Sequence, residues 1–585
     1  MPEKEKDMDK SFDKKSQLSF EIFFFGLIAV FLFWRAKYGY YGNDENFLFG
    51  LAQRLYYGES LLTDEWHLAQ HAGLFIWPFY SLFYSINHAV DGMSLYFRYI
   101  YCAVYLAALV YVNYKLSEFR PYTYPFIFCT ALYTPLDHMT LSYTSLSFIL
   151  VLLMSVKIYK DVLREKSSTA KNGISLGLIF TALTLLYPYF AVVAAIYYIV
   201  LALYWIYSKL RHKENCKYIY SLSFYAAASI ALCVVFYCVF LFSRTSLESI
   251  IINFPELFND PQHPQRKFIF SIYDAMYTSL MTGRETLMSG LVYYGFSGIL
   301  IVLSFCSKRV RKYRALILFF MLPLWLYNEW DIFLETYPKL NRQMKDIFMV
   351  GILAFALMEN RPWKLFLSFY PLSVIYLVVT WFSSNTGLHV LSMGYSLGSV
   401  CAVLIISLLI GELGREYKGL GWKRAAAMSA AVLLVLGQAC LEIRVRYDRT
   451  YHDYGLTEMQ YKIEHGPSKG IYTSKKNYDE YYAEFNSLNY LLASKEKEGK
   501  TFLALNSSPL VYLAADMPCV SYSKWMLGDN NSVDRVKKYM VINEKDSPDY
   551  IYDHLGTEDI SSLTDEEYDV ITYNEAKLYI KKPVS

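Results

Sequence analysis

Two acidic pairs stand near the start of this chain, Asp44-Glu45 and Asp64-Glu65, about twenty residues apart, and His67 and His71 follow the second of them. A third combination, Asp137-His138, occurs later. The first pair lies just beyond the apolar stretch 20–36. Carboxylates beside a membrane span lose hydration there, and ionisable groups at such depth usually have a role. The plainer reading is a solvated loop in which Asp44 caps an amphipathic helix over 47–57, closed by Gly58. Asp137 and His138 offer oxygen and nitrogen ligands that could hold a divalent cation, Mg or Mn, together with Asp44, although two such residues are also common in polar turns. His67 and His71, at i and i+4, would share a helix face and could form a metal pair. They lack the glutamate arrangement of HExxH, which sets a metalloprotease aside.

The elements that must hold these residues are mostly apolar. Residues 442–585 carry 24 acidic and 18 basic side chains, whereas the three-times-longer 1–441 carries only 29 and 38. Charge is therefore sparse and net positive in the first part, dense and net negative in the last. A nucleic-acid binder would concentrate basic charge on a soluble domain, so that class is excluded. With 56 Tyr and 39 Phe the chain is not disordered, and its apolar runs are too long for one soluble domain. The nine Cys are scattered, with no CxxC and only Cys519 in the polar tail, so neither a disulfide framework nor a thiolate zinc site is expected.

Short cytoplasmic loops carry an excess of Lys and Arg. Basic clusters at 157–171, 209–217, 308–314, 361–364 and 415–424, with a weaker one at 115–120, place spans at 20–36, 96–114, 123–136, 142–156, 174–187, 189–207, 218–242, 287–306, 315–328, 347–358, 365–382, 388–410 and 425–441. Several are shorter than the roughly 20 residues of a straight span, so bounding polar residues must belong partly to the helices. The polar, Lys-rich 1–19 is expected to stay in the cytoplasm as a segment before an uncleaved anchor. The stretch 74–86 breaks the alternation and reads as an aromatic helix at the outer interface, suited to Trp77, Tyr80 and Tyr84. Thirteen spans leave 37–73, 135–141, 243–286, 328–346 and 442–585 on the outer face, where chemistry is expected.

The C-terminal part shows helical spacing over 479–497 and 533–540, and strand patterns at 501–506, 519–522, 550–552, 570–572 and 578–580. The fold class is thus a polytopic α-helical membrane protein of about 13 spans (20–441, with a first outer loop 37–73) and a small outer α/β C-terminal domain, 442–585. No GxGxxG or GxxxxGK[ST] supports nucleotide binding.

A first span, an outer loop opening with Asp-Glu, a helix ending in Leu55-Tyr-Tyr-Gly58, a second acidic position, an aromatic interfacial helix and Arg98 entering the second span together resemble the GT-C superfamily of membrane glycosyltransferases, which take sugars from polyprenyl-phosphate carriers. The motifs span about 20–210, and the layout covers the chain. Many relatives carry Pro-Pro after the second acidic position, where this chain has His71-Ala-Gly73. The resemblance implies that Asp44 is the catalytic carboxylate, with Glu45 beside it. It also places Asp137-His138 where some members keep a second acidic or metal-binding motif.

Chemistry agrees with that assignment. An acceptor hydroxyl attacking an anomeric carbon must lose a proton, which a carboxylate in reach can take. The leaving phosphate ester needs cations or hydrogen-bond donors. Arg266 with Lys267, Arg284, and Arg342 with Lys339 are the candidates on outer loops; Arg forks match phosphate geometry, and the same residues could simply touch anionic head groups. Asp64, Glu65, His67, His71 and Arg98 join them as candidate substrate contacts.

The expected partners are a polyprenyl-phosphate sugar, an envelope glycan, lipid or protein as acceptor, and membrane lipids, at the plasma membrane. Two rivals remain: a flippase or transporter of lipid-linked sugars, against which stands the absence of an internal repeat, and a glycan polymerase or ligase using polyprenyl-diphosphate donors.

Overall fold

The structure, a computed structural model, describes residues 2–164, 168–210, 217–259, 287–334, 340–383, 389–416, 421–525 and 533–583. Its helices are α1 Pro2–Arg35, α2 Gly42–Tyr56, α3 Ala72–Asn87, α4 Met93–Lys115, α5 Thr123–Leu132, α6 Tyr143–Lys157, α7 Thr169–Leu186, α8 Phe190–Leu210, α9 Lys217–Phe242, α10 Leu247–Asn253, α11 Leu287–Cys306, α12 Arg314–Leu334, α13 Leu340–Leu357, α14 Trp363–Phe382, α15 His389–Glu416 and α16 Gly421–Asp448. The C-terminal region adds β1 Tyr461–Lys462, β2 Tyr472–Thr473, α17 Lys475–Leu492, β3 Phe502–Leu505, α18 Pro509–Ala515, α19 Val533–Ile542, β4 Tyr550–Asp553, β5 Tyr568–Tyr573 and β6 Ala576–Lys581.

Every expected span overlaps a helix, but the one expected at 123–136 is helical only to Leu132: Tyr133 and Thr134 are extended, and Pro135–Asp137 form the short turn that leads to His138. Among the described residues eight helices are long and apolar enough to cross a membrane, α1, α4, α7, α8, α9, α14, α15 and α16, which makes this an integral membrane protein. The other five expected spans lie on α5, α6, α11, α12 and α13; among the described residues, α5 and parts of α11 and α12 form shorter apolar helices, Thr123–Leu132, Tyr293–Cys306 and Leu316–Glu329. Polar groups within three of them bond to one another inside the protein: Asp346 of α13 accepts from Tyr294 of α11 and Asn328 of α12. Pairing of this kind satisfies polar side chains buried between apolar helices. The last helix runs to Asp448, past the expected end at 441, because Glu442 and Arg446 are buried among neighbouring helices instead of marking a polar boundary.

Among the described residues, basic side chains of the clusters expected at 115–120, 157–171 and 308–314 gather at one end of the bundle. Lys115 and Lys157 both reach Asp161, Arg120 pairs with Glu21 near the start of the first apolar stretch, and Arg164 pairs with Glu118. Arg314 pairs with Glu412, whose carboxylate also accepts from the backbone of Glu359 and Asn360. Close packing holds the bundle: on α7, a Cβ at Gly177 would lie 1.9 Å from Ser229 Oγ on α9.

At the opposite end lies the polar C-terminal region. A four-stranded sheet of order β3-β4-β6-β5, parallel between β3 and β4 and otherwise antiparallel, packs its apolar side on α17, α18 and α19. The strands expected at 501–506, 550–552, 570–572 and 578–580 are present as β3 to β6. The strand expected at 519–522 is not: Cys519 makes an isolated bridge to Phe502, and the segment then turns away to receive Arg54. The expected helix 479–497 begins earlier, at Lys475, because Ser474 caps it by accepting from Asn477 N–H.

Candidate functional site

Helix α1 ends at Arg35, and the chain then forms a short extended passage. Gly39 N–H donates to Tyr472 O (2.8 Å) and Tyr472 N–H to Lys37 O (2.8 Å), so the exit from the first span is stitched to β2 of the C-terminal region. Gly39 has φ +95°, and a Cβ there would sit 1.9 Å from Thr450 Cγ2. Arg35 fixes the same junction from below, donating to the carbonyls of Tyr38 (3.0 Å), Arg446 (2.9 Å) and Arg449 (3.0 Å).

Helix α2 starts at Gly42, five residues before the expected position. Asp44 is therefore not its cap; it stands with Glu45 in the first turn, where the helix dipole favours negative charge. The two carboxylates then diverge. Glu45 is buried and held by both arms of Arg98 (Nε–Oε1 2.8 Å, Nη2–Oε2 2.6 Å), and that guanidinium lies 3.8 Å over the Tyr41 ring and donates to Ala36 O. Asp44 keeps its side chain 25% exposed. His452 Nε2 approaches its Oδ2 at 3.4 Å, and the Tyr451 hydroxyl bonds the same carboxylate. Burial, and then the Asp44 charge, push the Tyr451 phenol well above its ordinary range, which keeps it a donor. Both residues belong to the linker just after α16. His452 is held there with its backbone carbonyl accepting from Asn477 Nδ2 (2.9 Å) and with Asp453 bonding Tyr40 N–H and Ser474 N–H.

The turn after α5 closes the site. Asp137 is buried and paired with Arg446 and Arg449, the latter at 2.9 Å, so its carboxylate is committed to two guanidinium groups. His138 next to it turns the other way, its ring stacked on Tyr451 (centroids 5.1 Å) and edge-on to Tyr41 (4.9 Å). Burial lowers its pKa to about 3, so the ring stays neutral. Among the described residues no group of three or more His, Cys, Asp or Glu is placed to hold a metal ion. The expected cation set of Asp44, Asp137 and His138 does not fit, because Asp137 would first have to release two arginines.

The second acidic pair is elsewhere engaged. Asp64 accepts from Ser60 N–H (2.7 Å) and Tyr539 (3.1 Å) and pairs with Lys545 (2.9 Å); burial alone would raise its pKa, but Lys545 and the Ser60 N–H hold it below the usual carboxylate range. Glu65 faces Arg54 at 3.3 Å, and burial raises its pKa. Arg54 also bonds Glu59 (3.0 Å) and Ser521 O (2.6 Å). His67 and His71 do not share a helix face. His67 caps a short 3-10 turn, its Nδ1 accepting from Ala69 N–H, and packs edge-on against Phe47. His71 precedes α3 and bonds the Tyr237 hydroxyl (2.8 Å), with burial lowering its pKa to about 4. The structure thus joins Asp44, Glu45, Arg98, Asp137 and His138, and places Asp64, Glu65, His67 and His71 in the joint between the loop and its neighbours. Arg266, Lys267, Arg284 and Lys339 lie outside the described residues, as does the side chain of Arg342.

Sequence reasoning missed Tyr451 and His452, which follow the last span by a few residues and are separated from Asp44 by some 400. It also missed Lys524, buried with its Nζ donating to Gln53 Oε1 of α2 (2.6 Å) and its pKa lowered by burial to about 8.

Fold and site together define a polytopic helical membrane protein that leaves the Asp44 carboxylate part-exposed between its membrane body and its C-terminal region. No family model matches the chain, and no curated protein matches it in sequence. In layout it is similar to the crystal structure of the Archaeoglobus fulgidus oligosaccharyltransferase in the apo form (12% identity, 92% of this chain and 70% of that one, TM-score 0.48). It is also similar to ArnT from Cupriavidus metallidurans bound to undecaprenyl phosphate (10% identity, 96% and 98%, TM-score 0.44). A third is the A. fulgidus oligosaccharyltransferase AglB in complex with an inhibitory peptide and a dolichol-phosphate (10% identity, 93% and 70%, TM-score 0.47).

Proposed function

We propose that the chain is a membrane glycosyltransferase that moves a sugar from a polyprenyl-phosphate donor to a cell-envelope acceptor, with Asp44 as general base. The observation that carries this reading is the state of Asp44. Glu45, Asp137, Asp64 and Glu65 are each buried against a cation, while Asp44 remains part-exposed and meets the rings of Tyr451 and His452. A base must be both charged and reachable, and a hydroxyl brought to it would lose its proton as the anomeric carbon is attacked. Glu45 and Arg98 act as the fixture: their buried pair anchors the first turn of α2 to α4 and so aims Asp44.

On this reading the membrane is the plasma membrane, the basic end of the bundle is cytoplasmic, and the C-terminal region 442–585 lies outside, covering the acceptor side of the site. Asp44→Asn removes the base and keeps the shape. The expected outcome is normal expression, insertion and melting with transfer lost by ~10²–10⁴-fold; the measurement is incorporation of label from lipid-linked sugar into envelope acceptors by membranes containing the variant. Full turnover by Asp44→Asn would sink the assignment.

A further inference from the structure

His138 is built into its position at some cost. Its side chain is 5% exposed, and Nε2 has no hydrogen-bond partner, a situation worth ~1–3 kcal/mol of lost solvation. The backbone leading to it is left-handed at two consecutive non-glycine residues, Leu136 (φ +52°) and Asp137 (φ +61°), a conformation that persists only when the surroundings enforce it. Here Arg446 and Arg449 clamp Asp137, and Met139 N–H donates to the Tyr41 hydroxyl (3.3 Å). The imidazole is pinned between Tyr41 and Tyr451, and Tyr451 in turn bonds Asp44. The orphaned ring nitrogen thus sits on a clamped turn within electrostatic reach of the part-exposed Asp44 carboxylate, and a buried polar atom left without a partner calls for an explanation.

The chemistry of a fitting partner follows from the two groups. Asp44 accepts hydrogen bonds, whereas a neutral imidazole with its proton on Nε2 donates one. A hydroxyl can satisfy both at once, giving its proton to the carboxylate while a lone pair accepts from the ring; an ammonium has no lone pair to offer.

We propose that His138 binds the acceptor directly, its Nε2–H donating to the nucleophilic oxygen whose proton passes to Asp44, with no cation between them. This rests on the glycosyl-transfer reading and adds to it how the acceptor is held. In the step, an oxygen lone pair forms the bond to the anomeric carbon. The bond from that carbon to the carrier phosphate breaks with its electron pair leaving on the phosphate oxygen, the hydroxyl proton moves to Asp44, and His138 keeps its own.

The test uses the purified full chain in proteoliposomes supplied with lipid-linked sugars and the envelope fraction extracted from cells lacking it, titrating the envelope fraction. His138→Ala is expected to raise the acceptor KM at least tenfold with little change in melting temperature, and His138→Gln, whose amide N–H can reach the same place, to recover most of the loss. EDTA should leave the wild-type rate unchanged, and manganese alone should not raise the melting temperature. An unchanged KM in His138→Ala, or manganese stabilising the wild type but not His138→Ala, overturns the proposal. Should His138→Ala fail to fold, His138→Gln decides: a KM near wild type supports it, and loss of activity overturns it. Transfer that needs Asp44 but ignores His138 would sink this inference alone. No transfer by the wild type would sink the glycosyl-transfer reading and this with it.

Discussion

At residues 44–45 the first loop carries Asp-Glu on the opening turn of α2, and at 64–65 it carries Asp-Glu again beyond the end of that helix. In both pairs the glutamate is buried against an arginine, Arg98 for Glu45 and Arg54 for Glu65. The aspartates differ. Asp64 is closed over by Tyr539 and Lys545 from the α19 region, whereas Asp44 meets a histidine that is itself largely exposed and a tyrosine from the linker. Composition and spacing are the same at the two ends of the loop; what separates a structural carboxylate from a usable one is which part of the C-terminal region comes down on it.

That contrast can be broken from either side. The largest effect is on rate: Asp44→Asn loses turnover and leaves stability alone, while Asp64→Asn is expected to retain most transfer. The next is on stability. Arg54→Met strands Glu59 and Glu65 in a dry joint, and removing one partner of a buried pair costs ~3–5 kcal/mol. Thermal melting of the purified protein should fall accordingly, with the acceptor KM of the surviving folded fraction near wild type. If Arg54→Met melted like the wild type, the joint would not hold the loop as described.

Lys524 in the same joint gives a pH signature. Its folded pKa, lowered by burial to about 8, lies below the ordinary lysine value near 10.4, so between those values the unfolded chain binds more protons than the folded one. Stability from this group therefore rises as pH increases from about 8 to about 10.4, by up to ~3 kcal/mol. Lys524→Met should abolish that rise while other titrations stay, which a difference between the two melting profiles measures. A wild-type profile that falls over this window in parallel with Lys524→Met would contradict a neutral, buried amine.

How much of this was legible beforehand depends on the range of the forces involved. The membrane helices were readable because an apolar run of sufficient length has few alternatives, and each of the thirteen stretches overlaps a helix, although 133–136 turn away from theirs. The strands β3 to β6 were readable from β-rich residues between turns. Asp44 was readable through its place after a span. Its first-turn position was not, since α2 begins at Gly42 once the passage before it is stitched to Tyr472. The partners were least legible of all. Nothing near Asp137 in the chain announces Arg446 and Arg449, and nothing near Arg54 announces Ser521, because these pairs form only when the C-terminal region closes on the membrane body. His67 and His71 suggested one helix face from spacing, yet each ring precedes a different helical segment and faces a different neighbour.

The smallest test lies at the edge of the closed half. His71 is kept neutral by burial, and its Nε2 meets the Tyr237 hydroxyl of α9 at 2.8 Å, where the loop touches the bundle away from Asp44. Tyr237→Phe leaves the ring packing in place and removes one hydrogen bond, for an expected loss of ~1 kcal/mol and a melting point only slightly lower. Because this contact belongs to the joint and not to the open carboxylate, kcat and the acceptor KM should both stay within twofold of wild type. A clear rise in acceptor KM in Tyr237→Phe, with melting unchanged, would instead put His71 in the acceptor path and move the boundary between the two halves of the loop.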